Sequence, residues 1–338
     1  MGSPQGYGFR PATLDDLEAA VKVFNACSLE LIGVDHKYTV EDTGLEWREP
    51  GFNLETDTRL ALSPDSRVIG YCEVFNPDAP YVIAYCWGRV HPEFSGQGIG
   101  THFLEWAESR AREDIPQAPP DARVAMRAFC LASDEKTIRL FTKAGFTHAR
   151  YFFRMVTRFE EPPEEPEWPA GITVRTMQVG ADERAVVQAV RESFQDHWGY
   201  FERPFEDEYA RWQHMMENDQ DFVPSLWFLA LDGDQIAGVS LCKPKVDDDP
   251  EMGWVQTLGV RRPWRKRGLG LALLNHSFGE FYRRGYRRVG LGVDAQNLTG
   301  ALRLYEKAGM RADPARRFSV YEKELRLGVD LAVETLNV

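Results

Sequence analysis

Residues 252–270 read MGWVQTLGVRRPWRKRGLG and are the most informative part of the sequence about its fold. The first nine residues of this stretch are mostly apolar or β-branched, which favours a buried β-strand. Two closely spaced glycines, Gly268 and Gly270, then lead into residues 269–284, whose apolar spacing predicts a helix. A strand, a glycine turn and a helix in this order expose backbone N–H groups at the positive end of the helix dipole. The stretch therefore predicts an α/β fold with a phosphate-binding loop.

The loop between this strand and this helix is strongly basic. Five of the seven residues 261–267 are Arg or Lys, although the whole chain carries a formal net charge of −12. Positive charge gathered at one turn suits a polyanionic ligand. The pattern lacks the G-x-x-x-x-G-K of a P-loop, and Leu273 stands where a dinucleotide motif needs its third glycine. A solvated basic turn and a nucleic-acid patch are the competing interpretations.

Four short blocks of sequence occur twice in the chain, in the same order. Residues 98–100 repeat as 268–270, and residues 139–146 repeat as 303–310. The pairs 9–10 and 174–175, and the triplets 68–70 and 236–238, follow the same order with a nearly constant separation. Two copies of one domain predict this arrangement. We expect an N-terminal domain over residues 1–158, a proline- and glutamate-rich linker over 159–170, and a C-terminal domain over 171–338.

Each copy has the same predicted element order: strand, helices, strands, helix, strand, helix, strand. In the first copy, Thr13 and Asp16 have the spacing of a capping box that opens a helix. In both copies the last helix is predicted to end at a glycine, Gly145 and Gly309. The predicted fold class is α/β, with an α+β mixed sheet in each copy.

The motifs of the second copy resemble those of the GNAT superfamily of N-acetyltransferases. Arg265-x-x-Gly268-x-Gly270 resembles the family's acyl-CoA signature, and Asn297 ahead of a helix bearing Tyr305 resembles its second signature. The resemblance covers nearly the whole chain as two tandem GNAT-like domains. It implies acetyl-CoA as the cosubstrate, held between two strands that diverge.

The resemblance also assigns roles to residues of the second copy. Backbone N–H groups of residues 267–270 are expected to hold the pyrophosphate with help from Arg265, and Tyr305 to protonate the departing CoA sulfur. An N–H near Leu258 is expected to stabilise the oxyanion. The full expected set of acetyl-CoA contacts is Leu258, Gly259, Val260, Arg265, Lys266, Arg267, Gly268, Leu269, Gly270, Leu271, Asn297 and Tyr305. A packed core aromatic is the alternative for Tyr305, and a helix cap for Asn297.

The first copy lacks part of this chemistry. Its loop keeps the glycines but has Ser95 in place of the arginine, and it has no Lys or Arg between His91 and Gln97. Phe141 replaces Tyr305, and Ser133 replaces Asn297. We therefore expect the first copy to be degenerate and the second to be catalytic.

The general base and the acceptor are less clearly marked. Many GNAT enzymes carry a glutamate early in the strand before the loop, but Trp254 occupies that position here, with Glu251 and Gln256 nearby. Glu251 is our candidate base and would act through a water molecule. Asp294 is an alternative base that would act in the same way. Residues 193–209 mix acids with aromatics and predict a helical segment that faces a cationic amine, or alternatively a solvated amphipathic helix.

Composition limits the remaining possibilities. The longest apolar run, residues 81–87, is too short to span a bilayer, and the start of the chain has no signal-peptide core. Five widely spaced cysteines favour reduced thiols, and the histidines form no metal motif. We expect a cytoplasmic monomer or homodimer that uses no metal, nucleic acid or membrane and takes a small-molecule amine or peptide acceptor. A non-catalytic acyl-CoA-binding or regulatory protein is the alternative function.

Overall fold

The computed structural model describes residues 4, 6–296 and 300–333. The described chain forms two compact units. Unit 1 contains the described residues of Met1–Tyr151, Glu202–His214 and Phe318–Leu331. Unit 2 contains those of Phe152–Phe201, Met215–Arg317 and Ala332–Val338.

The elements of the first sequence copy follow the predicted order. They are β1 (Gly8–Arg10), α1 (Leu17–Ile32), α2 (Val40–Glu46), α3 (Leu54–Asp57), β2 (Thr58–Leu62), β3 (Val68–Phe75), β4 (Ile83–Val90), α4 (Ile99–Glu113), β5 (Val124–Leu131), α5 (Glu135–Lys143) and β6 (Thr147–Arg158). The predicted capping box of Thr13 and Asp16 is present, and a short 3₁₀ turn separates it from α1.

The second copy repeats this order. Its elements are β7 (Ile172–Thr176), α6 (Glu183–Phe194), α7 (Phe205–Asn218), β8 (Trp227–Asp232), β9 (Gln235–Lys243), β10 (Met252–Val260), α8 (Leu269–Arg283), β11 (Arg288–Asp294), α9 (Ala301–Lys307) and β12 (Arg311–Arg326). The strand β10 has the bounds that the sequence predicts. The mixed α/β fold class is confirmed.

Each unit has a mixed sheet whose last strand comes from a distant part of the chain. In unit 1 the strand order is β1-β2-β3-β4-β5-β12, and residues 318–326 of β12 pair with β5. In unit 2 the order is β6-β11-β10-β9-β8-β7, and residues 152–158 of β6 pair with β11. The domain ranges 1–158 and 171–338 stay a prediction about the two sequence copies.

The two faces of the unit 2 sheet are covered by different helices. Val255, Val289 and Leu291 belong to an apolar core that also contains Leu273 and Phe278 of α8. On the other face, a Cβ on Gly259 of β10 would lie 2.8 Å from the Ser193 side chain of α6, so the helix packs closely there. We call these the α8 face and the α6 face.

Candidate active site

The glycine loop of unit 2 ends in a helix N-terminus that is ready for an anion. Gly268 caps α8 with φ 86° and ψ −6°, a left-handed conformation that glycine adopts without strain. The first helical bond runs from the Ala272 N–H to the Gly268 carbonyl at 3.1 Å. The N–H groups of Leu269, Gly270 and Leu271 therefore precede the helical ladder and point out of the helix end. This arrangement suits a pyrophosphate oxygen.

Arg265 has a structural position within this loop. Its Nε donates to the Val260 carbonyl at 2.9 Å, its Nη2 donates to the Ser193 carbonyl at 3.0 Å, and its Nη1 contacts Asp196. Hydrogen bonds from Arg262 and Arg265 lower the pKa of Asp196 to about 2. Arg265 thus ties the loop to the end of α6, and its contact with pyrophosphate stays a prediction.

Among the described residues, Arg261 and Arg262 of the loop form ion pairs, whereas Lys266 and Arg267 form none. The Arg261 Nε donates to Glu192 at 2.6 Å, and the Arg262 Nε donates to Asp196 at 3.1 Å. Lys266 and Arg267 are exposed, directly before the capping glycine. Lys266 has a positive φ of 61°, which is costly for a residue with a side chain. These two side chains are the ones placed to meet a phosphate in solvent.

The strands β10 and β11 separate at the level of the loop. They are parallel and pair only over Met252–Trp254 and Arg288–Gly290, although β10 continues to Val260 and β11 to Asp294. The divergence that the family resemblance implies is therefore present. A register shift between Val255 and Thr257 marks a β-bulge in β10. Leu258, Gly259 and Val260 lie beyond it, along the cleft, and bulges commonly redirect groups beside active sites.

Tyr305 lies on α9 with its ring in the apolar core of unit 2. The residue is 8% exposed, and burial raises its pKa to about 12. The helix ends as predicted, since the Met310 N–H donates to the Tyr305 carbonyl at 2.9 Å and Gly309 has φ 80°. The phenol is therefore protonated at neutral pH and available as a hydrogen-bond donor.

Of the remaining predicted catalytic residues, Glu251 lies away from the cleft. Asn297 lies outside the described residues. Glu251 directly precedes β10, at the far end of the strand from Leu258, with its side chain 85% exposed and 3.4 Å from Arg288. Trp254 donates its indole N–H to Gln256 at 3.0 Å on the α6 face.

The predicted helix over residues 193–209 is wrong. The helix α6 ends at Phe194, a non-helical stretch that includes Gly199 with φ 78° follows, and α7 begins at Phe205 after Pro204. Glycine in a left-handed conformation and proline break the helix there. Within this stretch, burial and the nearby Arg265 lower the pKa of His197, so the imidazole is neutral at pH 7.

Sequence reasoning missed the contact that fixes the loop. Arg265 was predicted to contact the donor, and Asp196 lies in the segment 193–209 that was predicted to face the acceptor, but the structure joins them to each other. They are far apart in sequence, and no local pattern signals the pairing. The bulge in β10 had no sequence signal either.

Two family descriptions match the chain. Residues 187–310 match the acetyltransferase (GNAT) family, and residues 57–148 match an acetyltransferase (GNAT) domain. The two matches lie in the second and first sequence copies, so the tandem arrangement is confirmed.

Similar proteins carry acetyltransferase names. A mycothiol acetyltransferase of Thermobispora bispora is 30% identical over 223 residues, 65% of this chain and 70% of that protein. One of Streptomyces scabiei is 27% identical over 94% of both chains. A GCN5-related N-acetyltransferase from Sphaerobacter thermophilus has 35% identity and a TM-score of 0.77, with 99% of this chain and 100% of that chain covered.

A further solved structure supports the fold alone. A tandem GNAT protein from the clavulanic acid biosynthesis pathway has a TM-score of 0.69 at 17% identity, with 96% of this chain and 100% of that chain covered.

None of the helices described in residues 4, 6–296 and 300–333 combines the length and apolarity of a membrane span. Together, the motifs, the fold and the relatives show that the chain is an N-acetyltransferase and belongs to the GNAT superfamily, with two GNAT domains in tandem.

Proposed function

We propose that the second copy transfers an acetyl group directly from acetyl-CoA to an amine acceptor. The observation that carries this proposal is the divergence of β10 from β11 after Trp254 and Gly290, at the strand end that leads into the glycine loop. A thioester arm lying in this cleft has the helix N-terminus at one end. The bulged segment before Leu258 lies along its side.

The loop binds the donor in this proposal. The N–H groups of Leu269, Gly270 and Leu271 receive the pyrophosphate, and Lys266 and Arg267 add charge from solvent. Leu258, Gly259 and Val260 border the pantetheine, and an N–H near Leu258 stabilises the oxyanion. Arg265 contributes chiefly by holding the loop, because its donors already bind Val260, Ser193 and Asp196.

The transfer step exchanges one bond for another. The neutral amine nitrogen bonds to the thioester carbonyl carbon, the carbon–sulfur bond breaks, and the amine proton goes to a base. Tyr305 serves the departing sulfur. Its pKa of about 12 exceeds the roughly 8.5 of a free thiol, so the phenol acts mainly by donating a hydrogen bond to the developing thiolate.

Glu251 is the proposed base, acting through water. Its exposure and its distance along β10 from Leu258 require a chain of water molecules rather than direct contact. A small catalytic contribution follows from this placement.

The relatives suggest the first acceptor to test. Several are named mycothiol acetyltransferases, so we propose the unacetylated form of mycothiol as the reference acceptor of the panel. Other amines and peptide N-termini complete the acceptor panel.

The test is calorimetric titration of acetyl-CoA followed by a thiol-release assay across this panel. We expect saturable binding and an amine-dependent release of free CoA. Absence of acetyl-CoA binding overturns the donor assignment. Binding without release for any amine favours the non-catalytic acyl-CoA-binding alternative, for which the missing glutamate at Trp254 is the specific observation.

A further inference from the structure

A polar pocket of about 540 Å³ lies in unit 2, away from the glycine loop. It surrounds the first residues of β10 and β11, represented by Met252 and Arg288, whereas the loop follows the last residue of β10. Five arginines and three aspartates are among its lining residues. The pocket therefore has a surplus of positive charge in a protein whose net charge is −12.

The aspartates do not neutralise the arginines. The Asp248 carboxylate accepts from Arg154 Nη2 at 2.7 Å and from Arg316 Nε at 2.8 Å, so two cations share one anion. Asp249 accepts from Arg288 at 2.6 Å. These pairs fix three guanidinium groups in place, which prepares them for a ligand without further ordering.

Two arginines of the lining, Arg158 and Arg311, retain donors that a ligand in the pocket can reach. The Arg154 Nη1 and Nη2 both donate to Asp248, at 3.1 and 2.7 Å. Arg154 is only 9% exposed, and its buried Nε–H has no hydrogen-bond partner among the residues that the structure describes. A buried donor without an acceptor destabilises a protein, so it calls for an explanation. Arg158 and Arg311 are exposed on the lining, and no ion pair within residues 4, 6–296 and 300–333 involves either.

The pocket lies on the α6 face of the unit 2 sheet. The Arg154 guanidinium lies 5.5 Å from the Trp254 ring centroid, and Trp254 packs over Gly290. The neighbouring Val289 and Leu291 point the other way, into the core of α8. Trp254 occupies the position of the family's usual glutamate, so this is the face from which the acceptor amine is expected.

The distance along β10 between the pocket and the cleft sets the length of a ligand that reaches both. Met252 at the pocket and Leu258 at the cleft are six positions apart, but the bulge takes up one of them, so the separation is roughly 17 Å at about 3.3 Å per residue.

We propose that this pocket binds a carboxylate or phosphate group of the acceptor, about 15–20 Å from the amine that is acetylated. Arginine forks match the paired oxygens of both groups. The acceptor is then an extended molecule with an amine at one end and an anion at the other. This inference rests on the proposed function for the amine, but anion binding itself does not.

The experiment measures binding to protein saturated with CoA, so that the donor loop is filled. Inorganic phosphate is titrated first, followed by an alanine pentapeptide with a free C-terminal carboxylate and by its carboxamide. The test variant is Arg158→Gln/Arg311→Gln. The matched control is Arg139→Gln/Arg283→Gln, which removes two exposed helical arginines outside the pocket lining.

We expect wild type and control to bind phosphate and to bind the carboxylate peptide at least tenfold more tightly than the carboxamide. Both effects should be lost in the test variant, while CoA affinity is unchanged.

Four results would overturn the proposal, and the first three concern binding alone. These three are the absence of phosphate binding in wild type, phosphate binding that survives in the test variant, and equal binding of the two peptides. Phosphate binding that does not compete with the carboxylate peptide also overturns it, because the anion site would then be separate from the acceptor. None of these results depends on turnover, so they stay distinct from a failure of acetyl transfer.

Discussion

The two glycine loops have nearly the same backbone. Gly98 caps α4 with φ 86° and ψ −8°, and Gly268 caps α8 with φ 86° and ψ −6°. A Cβ on Gly100 would lie 3.0 Å from a leucine side chain of α5, and a Cβ on Gly270 would lie 3.0 Å from a leucine side chain of α9. The duplicated geometry therefore follows from local requirements for glycine that are independent of any ligand.

The loops differ in their side chains and in the strand before them. Residues 95–97 are Ser-Gly-Gln in unit 1, and the matching residues 265–267 are Arg-Lys-Arg in unit 2. The pairing of β3 with β4 has no register shift, whereas β10 has a bulge. Phe141 and Tyr305 are both buried at matching helix positions. A backbone geometry that suits an anion is therefore common to both copies, whereas the groups proposed for catalysis are confined to the second copy.

Tyr305→Phe makes unit 2 resemble unit 1 at the proposed acid, and we expect the largest effect from it. Loss of the phenol removes a hydrogen bond to the developing thiolate and should lower kcat by about 100-fold, as expected for removal of a transition-state hydrogen-bond donor. The acetyl-CoA Kd should stay the same, because the ring is retained. Steady-state kinetics with calorimetric titration checks this. Unchanged kcat would assign Tyr305 to packing alone.

The pH profile sharpens this assignment. Because burial raises the pKa of Tyr305 to about 12, the phenol stays protonated up to about pH 11. An acid must hold its proton to act, so Tyr305 should cause no fall in kcat between pH 7 and 10. A fall in this range that disappears in Tyr305→Phe would contradict the proposed environment of the phenol.

Arg265→Ser introduces the unit 1 residue into the unit 2 loop. The change removes donors to the Val260 and Ser193 carbonyls and leaves Asp196 with Arg262. Hydrogen bonds from charged groups predict a loss of about 2 kcal/mol in the free energy of unfolding, roughly 30-fold in the equilibrium constant. Urea unfolding measures it. The reciprocal Ser95→Arg, at an exposed position, should change stability by less than about 0.5 kcal/mol.

Lys266→Gly/Arg267→Gln reproduces the rest of the unit 1 loop. Glycine accommodates the positive φ at position 266, so the variant should stay folded. Loss of two exposed cations should weaken acetyl-CoA binding by about tenfold, with kcat at saturation preserved. Titrations at low and high salt test this, because salt should reduce the difference in acetyl-CoA affinity between the wild type and the variant. Equal affinities at low salt would show that the backbone N–H groups suffice.

The sequence was informative wherever structure follows from neighbouring residues. The strand β10 and the start of α8 come from apolar patterning next to glycines, and the ends of α5 and α9 come from Gly145 and Gly309. Long-range contacts had no such signal: the Arg265–Asp196 pair joins the loop to the end of α6, and β12 supplies a strand beside β5. The strand, the glycine loop and the helix after it could therefore be predicted from the sequence, but the structural role of Arg265 could not.

Glu251→Gln should have the smallest effect, because the side chain is 85% exposed and lies before β10 rather than in the cleft. A carboxylate that acts only through water at this distance should change kcat by less than about threefold on removal. The measurement is the kcat/KM profile from pH 5 to 9 for wild type, Glu251→Gln and His197→Gln.

If His197 is the base instead, its variant loses far more activity than Glu251→Gln. The acidic limb of wild type then lies below about pH 6.5, because burial and Arg265 lower the pKa of the imidazole. Such a result would move the base from the start of β10 to the stretch after α6, where unit 2 holds its loop through Asp196.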